Sequence, residues 1–169
     1  MDKKTLYLQG YKILKRVTPL KKDCGSLCNK ACCQGLDSQS GMYLYPGEAE
    51  LQRLNASITI KPAVLSGHSG LLAVCNGECE RLQRPLACRV FPLTAYYTAK
   101  DLLTIVMDPK ARYICPLARN LTKPELNLDF VVKVRQVFRL LSADPGIKEF
   151  IIMQSRLLDE FSAIESRFK

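Results

Sequence analysis

The sequence predicts an α+β fold: a small cysteine-rich unit of short strands, loops and short helices, closed by a C-terminal helical hairpin. Three observations predict it. Short apolar runs bracketed by Gly, Pro and polar residues fill the middle of the chain, as strands do. Apolar residues recur at helical spacing through the last third. Eight cysteines lie between Cys24 and Cys115, four of them within ten residues. With 169 residues, 47% hydrophobic and 24% charged, the chain can also bury a core of its own. We therefore read a single domain over 1–169, with 24–116 as the cysteine-bearing core and 122–169 as the C-terminal hairpin.

Residues 3–17 suit an amphipathic helix with Leu6, Tyr7, Gly10, Ile13, Leu14 and Val17 on one side, limited by Gly10 and by Thr18-Pro19. The cysteine-dense segment 24–33 follows, then a polar loop over 35–41. Met42 to Tyr45 reads as a short strand, and Pro46 opens a helix of about two turns, as proline does at a first helical position. Ile58–Ile60 and Leu71–Val74 read as strands, bracketed by Lys61-Pro62 and Gly67-His68-Ser69-Gly70. Leu93–Ala99 and Leu102–Asp108 flank Lys100-Asp101 as a hairpin. Thr122-Lys123-Pro124-Glu125 has the form of a capping box, ahead of a helix that buries Phe130, Val134, Val137, Phe138 and Leu141. Asp144-Pro145-Gly146 then breaks the chain and caps a last helix with Ile147, Phe150, Ile151, Leu158, Phe161, Ile164 and Phe168 as its stripe.

The cysteines are Cys24, Cys28, Cys32, Cys33, Cys75, Cys79, Cys88 and Cys115. The charged N-terminus lacks the apolar stretch of a signal peptide, and no run approaches the roughly 20 apolar residues of a membrane span. A cytoplasmic location is expected, where thiols hold metal far more often than they form disulfides. Cys24, Cys28 and Cys32 are spaced by four, so a continuous helix would align all three thiols. Cys75 and Cys79 repeat that step across Asn76-Gly77-Glu78, and C-x3-C falls within the range of structural zinc. The adjacent Cys32 and Cys33 point apart, which suggests two metals or a bridging thiolate. The alternative is one four-cysteine site plus four ordinary buried cysteines, with Cys115 the first candidate non-ligand. Arg81, Arg84 and Arg89 bracket Cys79 and Cys88, while Lys110, Arg112 and Arg119 bracket Cys115; a cationic shell, Arg84 and Arg89 above all, would stabilise thiolate-bound metal.

The pattern Cys24-x3-Cys28-x3-Cys32-Cys33, then Cys75, Cys79, Arg84-Pro85-Leu86-Ala87-Cys88-Arg89-Val90-Phe91-Pro92 and Cys115, resembles the YkgJ-like cysteine-cluster family. Met42 to Glu50 also looks like that family's strand and helix after the first cluster. The resemblance covers roughly residues 24–116. It implies a zinc- or iron-chelating domain whose chelating cysteines correspond to the eight here; residues 117–169 lie outside it.

Other classes fit poorly. There is no C-x2-C pair for a zinc ribbon and no C-x3-C-x2-C for a radical enzyme with a sulfonium cofactor. There is no phosphate-binding glycine fingerprint either. The single histidine, His68, sits in a turn-like stretch, where it is more often exposed than catalytic. No catalytic residue is assigned, and enzymatic activity is left open. The formal charge of +9 loses eight units if every thiol proton is displaced and regains four from two divalent ions, leaving +5. Nucleic acid is thus disfavoured as a partner, and a protein partner on the C-terminal helices is expected instead. The function expected is metal binding through cysteine thiolates, with zinc the first metal and iron the alternative. The competing reading is an iron–sulfur protein acting in redox chemistry or protein modification.

Overall fold

The computed structural model describes residues 1–34, 40–65, 67–77 and 79–167, and its class is α+β. Helix α1 spans Lys3–Ile13 and starts at Asp2, whose carboxylate accepts from the Thr5 amide at 3.0 Å and the Thr5 hydroxyl at 2.6 Å. Leu6, Tyr7, Gly10, Leu14 and Val17 are buried, the face expected from their spacing. Gly10 does not limit this helix. A Cβ there would meet Val137 Cγ1 at 3.2 Å, so the bare backbone lets α1 lie close against the C-terminal helices.

The segment 24–34 departs from a continuous helix. It forms α2, Gly25–Cys28, and α3, Ala31–Gln34, separated by Asn29 and Lys30 at φ 48° and 56°. Asn29 is a left-handed cap that ends α2, and its carbonyl accepts from Gln34 Nε2 at 2.7 Å. Cys24, Cys28 and Cys32 therefore do not share one helical face. Most of the polar loop 35–41 lies outside the described residues.

Strand β1 is Gly41–Leu44, and after a turn at Gly47 (φ 88°) comes the single-turn α4, Ala49–Gln52. The strands expected at 58–60 and 71–74 are the ends of a longer hairpin, β2 Ile58–Leu65 and β3 His68–Cys75. The sheet order is β1-β3-β2, all antiparallel, with Ile58 opposite Cys75 and Gly41 opposite Val74. Pro62 is tolerated because β2 is an edge. Helix α5, Leu86–Val90, leads to a separate hairpin of β4, Leu93–Tyr97, and β5, Leu103–Met107. A 3-10 turn over Pro109–Tyr113 precedes α6, Pro116–Asn120.

The capping box at Thr122 and Glu125 exists, but it caps a 3-10 turn, Lys123–Glu125. Helix α7, Leu128–Leu141, starts later at Asn127 and buries Phe130, Val134, Val137, Phe138 and Leu141. Helix α8, Pro145–Ser166, is capped by Asp144, which accepts from the Ile147 amide at 3.0 Å. Ile147, Ile151 and Leu158 are buried and Phe150 packs against the core, whereas Ile164 is 55% exposed. Phe161 meets Tyr113 edge-on at 6.1 Å, and Phe168 lies outside the described residues. Ser155 occupies the stripe instead, accepting from the Tyr97 amide at 2.9 Å and donating to the Ile151 carbonyl at 2.7 Å. That bond ties α8 to the edge of β4.

One apolar cluster joins α1, α5, β4, β5, α6, α7 and α8, while Leu44, Ile58 and Ala73 form a small second one. The C-terminal hairpin thus closes the fold over β4, β5 and α1. None of the described helices is long and apolar enough to cross a membrane. Replacing the cap by Asp144→Ala is expected to cost about 1 kcal/mol, read as a small drop in melting temperature without change in helix content at 25 °C.

Candidate metal centre

The fold delivers the cysteines from five places. Cys24 and Cys28 flank α2, Cys32 and Cys33 lie on α3, and Cys75 ends β3 with Cys79 soon after; Cys88 is on α5 and Cys115 immediately precedes α6. All eight are free thiols. Cys33, Cys79 and Cys115 are buried, Cys32 is exposed, and the other four are half-buried.

They fall into two neighbourhoods. In the first, Cys32, Cys75 and Cys79 lie close enough to Cys33 to favour its thiolate and hold it well below the usual thiol range. The same contact, with burial, pushes Cys32 up, and contacts to Cys33 and Cys79 push Cys75 up. Burial pushes the Cys88 thiol up to about 12, with Cys79 next in effect. These four residues, with Cys88 and Arg84, line a cavity of about 380 Å³ that reaches Met42 and Tyr113. In the second neighbourhood, burial raises the Cys24 thiol, with Cys115 and Cys28 also close enough to act on it. The Cys28 thiol donates to the Cys24 carbonyl at 3.8 Å. Cys24, Cys28, Cys88 and Cys115 line a cavity of only about 40 Å³, with Cys32, Arg81 and Arg84 on its wall.

The thiol contacts of the first neighbourhood radiate from Cys33. Among the described residues, no three His, Cys, Asp or Glu side chains are already set as a coordination shell. The cations are more telling. Arg81 Nε and Arg84 Nε are both buried without a hydrogen-bond partner. Arg84 Nη2 donates to the Cys79 carbonyl at 3.3 Å. Burial works against its charge, but Cys33 and Cys79 outweigh that and hold it above its ordinary value. An Arg81 terminal nitrogen donates to the Val17 carbonyl, and Cys24 is close enough to act on its charge. Buried unpaired N–H groups are costly, and metal-bound thiolate sulphurs are acceptors that would satisfy them. By that test the donor set fits a thiolate-bound metal.

Arg89 is used differently from Arg84. It is buried, stacks over the Tyr11 ring at 4.0 Å, and donates to the carbonyls of Arg84 at 2.7 Å, Tyr11 at 3.4 Å and Leu82. It therefore orders the backbone on which Arg84 sits. Near Cys115, Arg112 pairs with Glu165 at 3.8 Å and Lys110 sits 5.8 Å over Phe161. Arg119 Nε donates to the Arg112 carbonyl at 3.3 Å. His68 is exposed on β3.

The residue that sequence reasoning missed is Glu48. Its fully buried carboxylate accepts from Tyr11 Oη at 2.5 Å, the Leu86 amide at 2.6 Å and the Tyr45 amide at 3.2 Å. Gln52 and Asn55 extend this network from Tyr11 to the Gln83 carbonyl. Glu48 thereby clamps the start of α5, two residues before Cys88. The available signal was an acidic residue in Tyr45-Pro46-Gly47-Glu48, where a simple helix start seemed a sufficient account. No family model, curated protein or solved structure matches the chain.

Proposed function

We propose that this protein is a metal-binding module that holds zinc through cysteine thiolates, in keeping with the cysteine-cluster resemblance of residues 24–116. The observation that carries the reading is the convergence of Cys32, Cys33, Cys75 and Cys79 on one cavity, beside the unpartnered Nε of Arg84. Zinc bound by four thiolates at about 2.3 Å requires sulphurs nearly touching, whereas an iron–sulfur cluster spreads its cysteines around several irons and sulfides. Four cysteines gathered at one cavity around Cys33 favour the single ion.

Bound zinc would supply local folding free energy on the order of 10 kcal/mol. The chain's own residues do the rest. Thiols pushed above their usual range surrender protons only to a metal or a strong base, so without metal they are poor nucleophiles. Arg84 offsets the negative charge of four thiolates. A reducing compartment, the cytoplasm, suits this use of cysteine. A partner surface on the C-terminal helices belongs to the same proposal: Leu128 and Val132, one turn apart on α7, are 74% and 54% exposed.

The test is elemental analysis with a visible spectrum on protein purified without oxygen or a histidine tag. Zinc in colourless protein is the expected result. Brown protein with iron and acid-labile sulfide would replace the zinc reading by the redox one. Neither metal, with thiols paired, would overturn metal binding altogether.

A further inference from the structure

Resting on that reading, we infer that the cysteines build two separate centres, and that the second consists of Cys24, Cys28, Cys88 and Cys115 with Arg81 as its own cation. The partition follows from where the sulphurs lie. Cys32, Cys33, Cys75 and Cys79 line the larger cavity, and Cys33, Cys75 and Cys79 do not reach the smaller one. The remaining four line one small cavity from three unrelated segments: the α2 turn, α5 and the start of α6.

Size and charge identify the ligand class. A cavity of about 40 Å³ takes an ion or a few waters, not the organic ligands that occupy pockets of roughly 300 Å³ or more. Four sulphur donors select a soft or borderline divalent ion. Arg81, with its unpartnered Nε, lines the smaller cavity, and Arg84, with its own, lines the larger one, so each neighbourhood has a buried N–H awaiting a sulphur acceptor. The backbone is fitted to the task as well. The Cys115 amide donates to the Ala111 carbonyl at 2.7 Å, and Asp108 accepts from the Lys110 amide at 2.9 Å, fixing the turn that presents Cys115. Cys32 and Cys88 line both cavities, so the two centres are neighbours sharing a wall.

The two sites also differ in access. The first includes exposed Cys32, whereas no cysteine of the second is exposed. Its ion should therefore leave more slowly. The unaltered protein, stripped and titrated with cobalt(II) without oxygen, is expected to take up two equivalents, each adding tetrahedral thiolate absorption. Zinc-loaded protein challenged with a chromogenic chelator should release one ion quickly and one slowly. Cys24→Ser with Cys115→Ser should abolish the slow phase alone, and Cys75→Ser with Cys79→Ser the fast phase alone. Arg81→Gln, which keeps all eight sulphurs, should weaken retention of the slow ion by roughly tenfold and leave the fast one unchanged. Saturation at one equivalent, or one ion lost in both double variants, would overturn the second centre while leaving metal binding intact. Failure to bind cobalt at all would instead sink the underlying reading. Because the titration and the Arg81 variant use chains with every cysteine present, misfolding of a serine variant cannot decide the matter.

Discussion

Removing metal with a strong chelator in reducing buffer is expected to release residues 24–34 and 75–84 to fast amide exchange, while α1, α7 and α8 keep their protection. The reason is the distribution of apolar burial. Between Cys24 and Gln34 only Cys33 is buried, and the adjoining sheet holds just Leu44, Ile58 and Ala73 as its cluster. The large core draws on Tyr7, Phe130, Phe138, Leu141, Ile147 and Ile151, all fully buried and all outside those segments. On the proposed reading, a contribution on the order of 10 kcal/mol from metal would act on segments with little apolar burial of their own. Far-UV circular dichroism should change only slightly, since the two long helices remain. Unchanged exchange in 24–34 after verified metal removal would refute the argument; loss of protection across all helices would show that the core depends on the centre.

Glu48→Ala is the substitution expected to cost most among buried polar residues. It strips acceptors from Tyr11 Oη and from the Leu86 and Tyr45 amides, and leaves a void where a fully buried side chain stood. Each unsatisfied buried donor costs about 1–3 kcal/mol, so roughly 3–5 kcal/mol is expected after relaxation. Against a total stability of about 5–15 kcal/mol, that lowers the melting temperature by roughly 10 °C. Glu48→Gln should fall between, because one acceptor oxygen becomes an NH2 group facing an N–H. Its pH dependence carries a second expectation. Burial raises the Glu48 carboxyl above its ordinary 4.5, opposed by the bonds from Tyr11, Leu86 and Tyr45. A raised carboxyl contributes most stability below pH 4.5, and that contribution declines as pH rises through the folded-state value. The stability gap between the parent and Glu48→Gln should therefore narrow with rising pH. Acid-driven metal loss acts on both chains and cancels in the difference. A gap that widens with pH would show that the carboxylate, not the acid, is the favoured form.

Much of the fold was legible because its signals are local and periodic. Phe130, Val134, Val137, Phe138 and Leu141 lie at helical spacing and are all buried. Asp144-Pro145 announces a helix start and is one. The misses have tertiary causes. Gly10 reads as a helix limit until Val137 is seen to need the space it leaves. Thr122 and Glu125 form their box, but Leu126 and Asn127 delay the helix. Pro62 hides a strand whose edge position is not written in its own sequence. The eight sulphurs are visible in the sequence as a set. Which cavity each of them lines is not, because that depends on which segments the core brings together. Glu48 was obscure for the same reason: its partners Tyr11 and Leu86 are 37 and 38 residues away.

The left-handed step at Asn29–Lys30 carries one more consequence. In the proposed two-centre arrangement Cys28 and Cys32, four residues apart, would serve different ions, so both centres would share one short piece of chain. Whichever ion arrives first must order that piece, and the ion that follows meets it already folded. The same segment thus serves as a thermodynamic coupler, and the second equivalent should bind more tightly than an isolated site would. Titration of the stripped protein should then show positive cooperativity that fades when Gly-Gly replaces Asn29-Lys30.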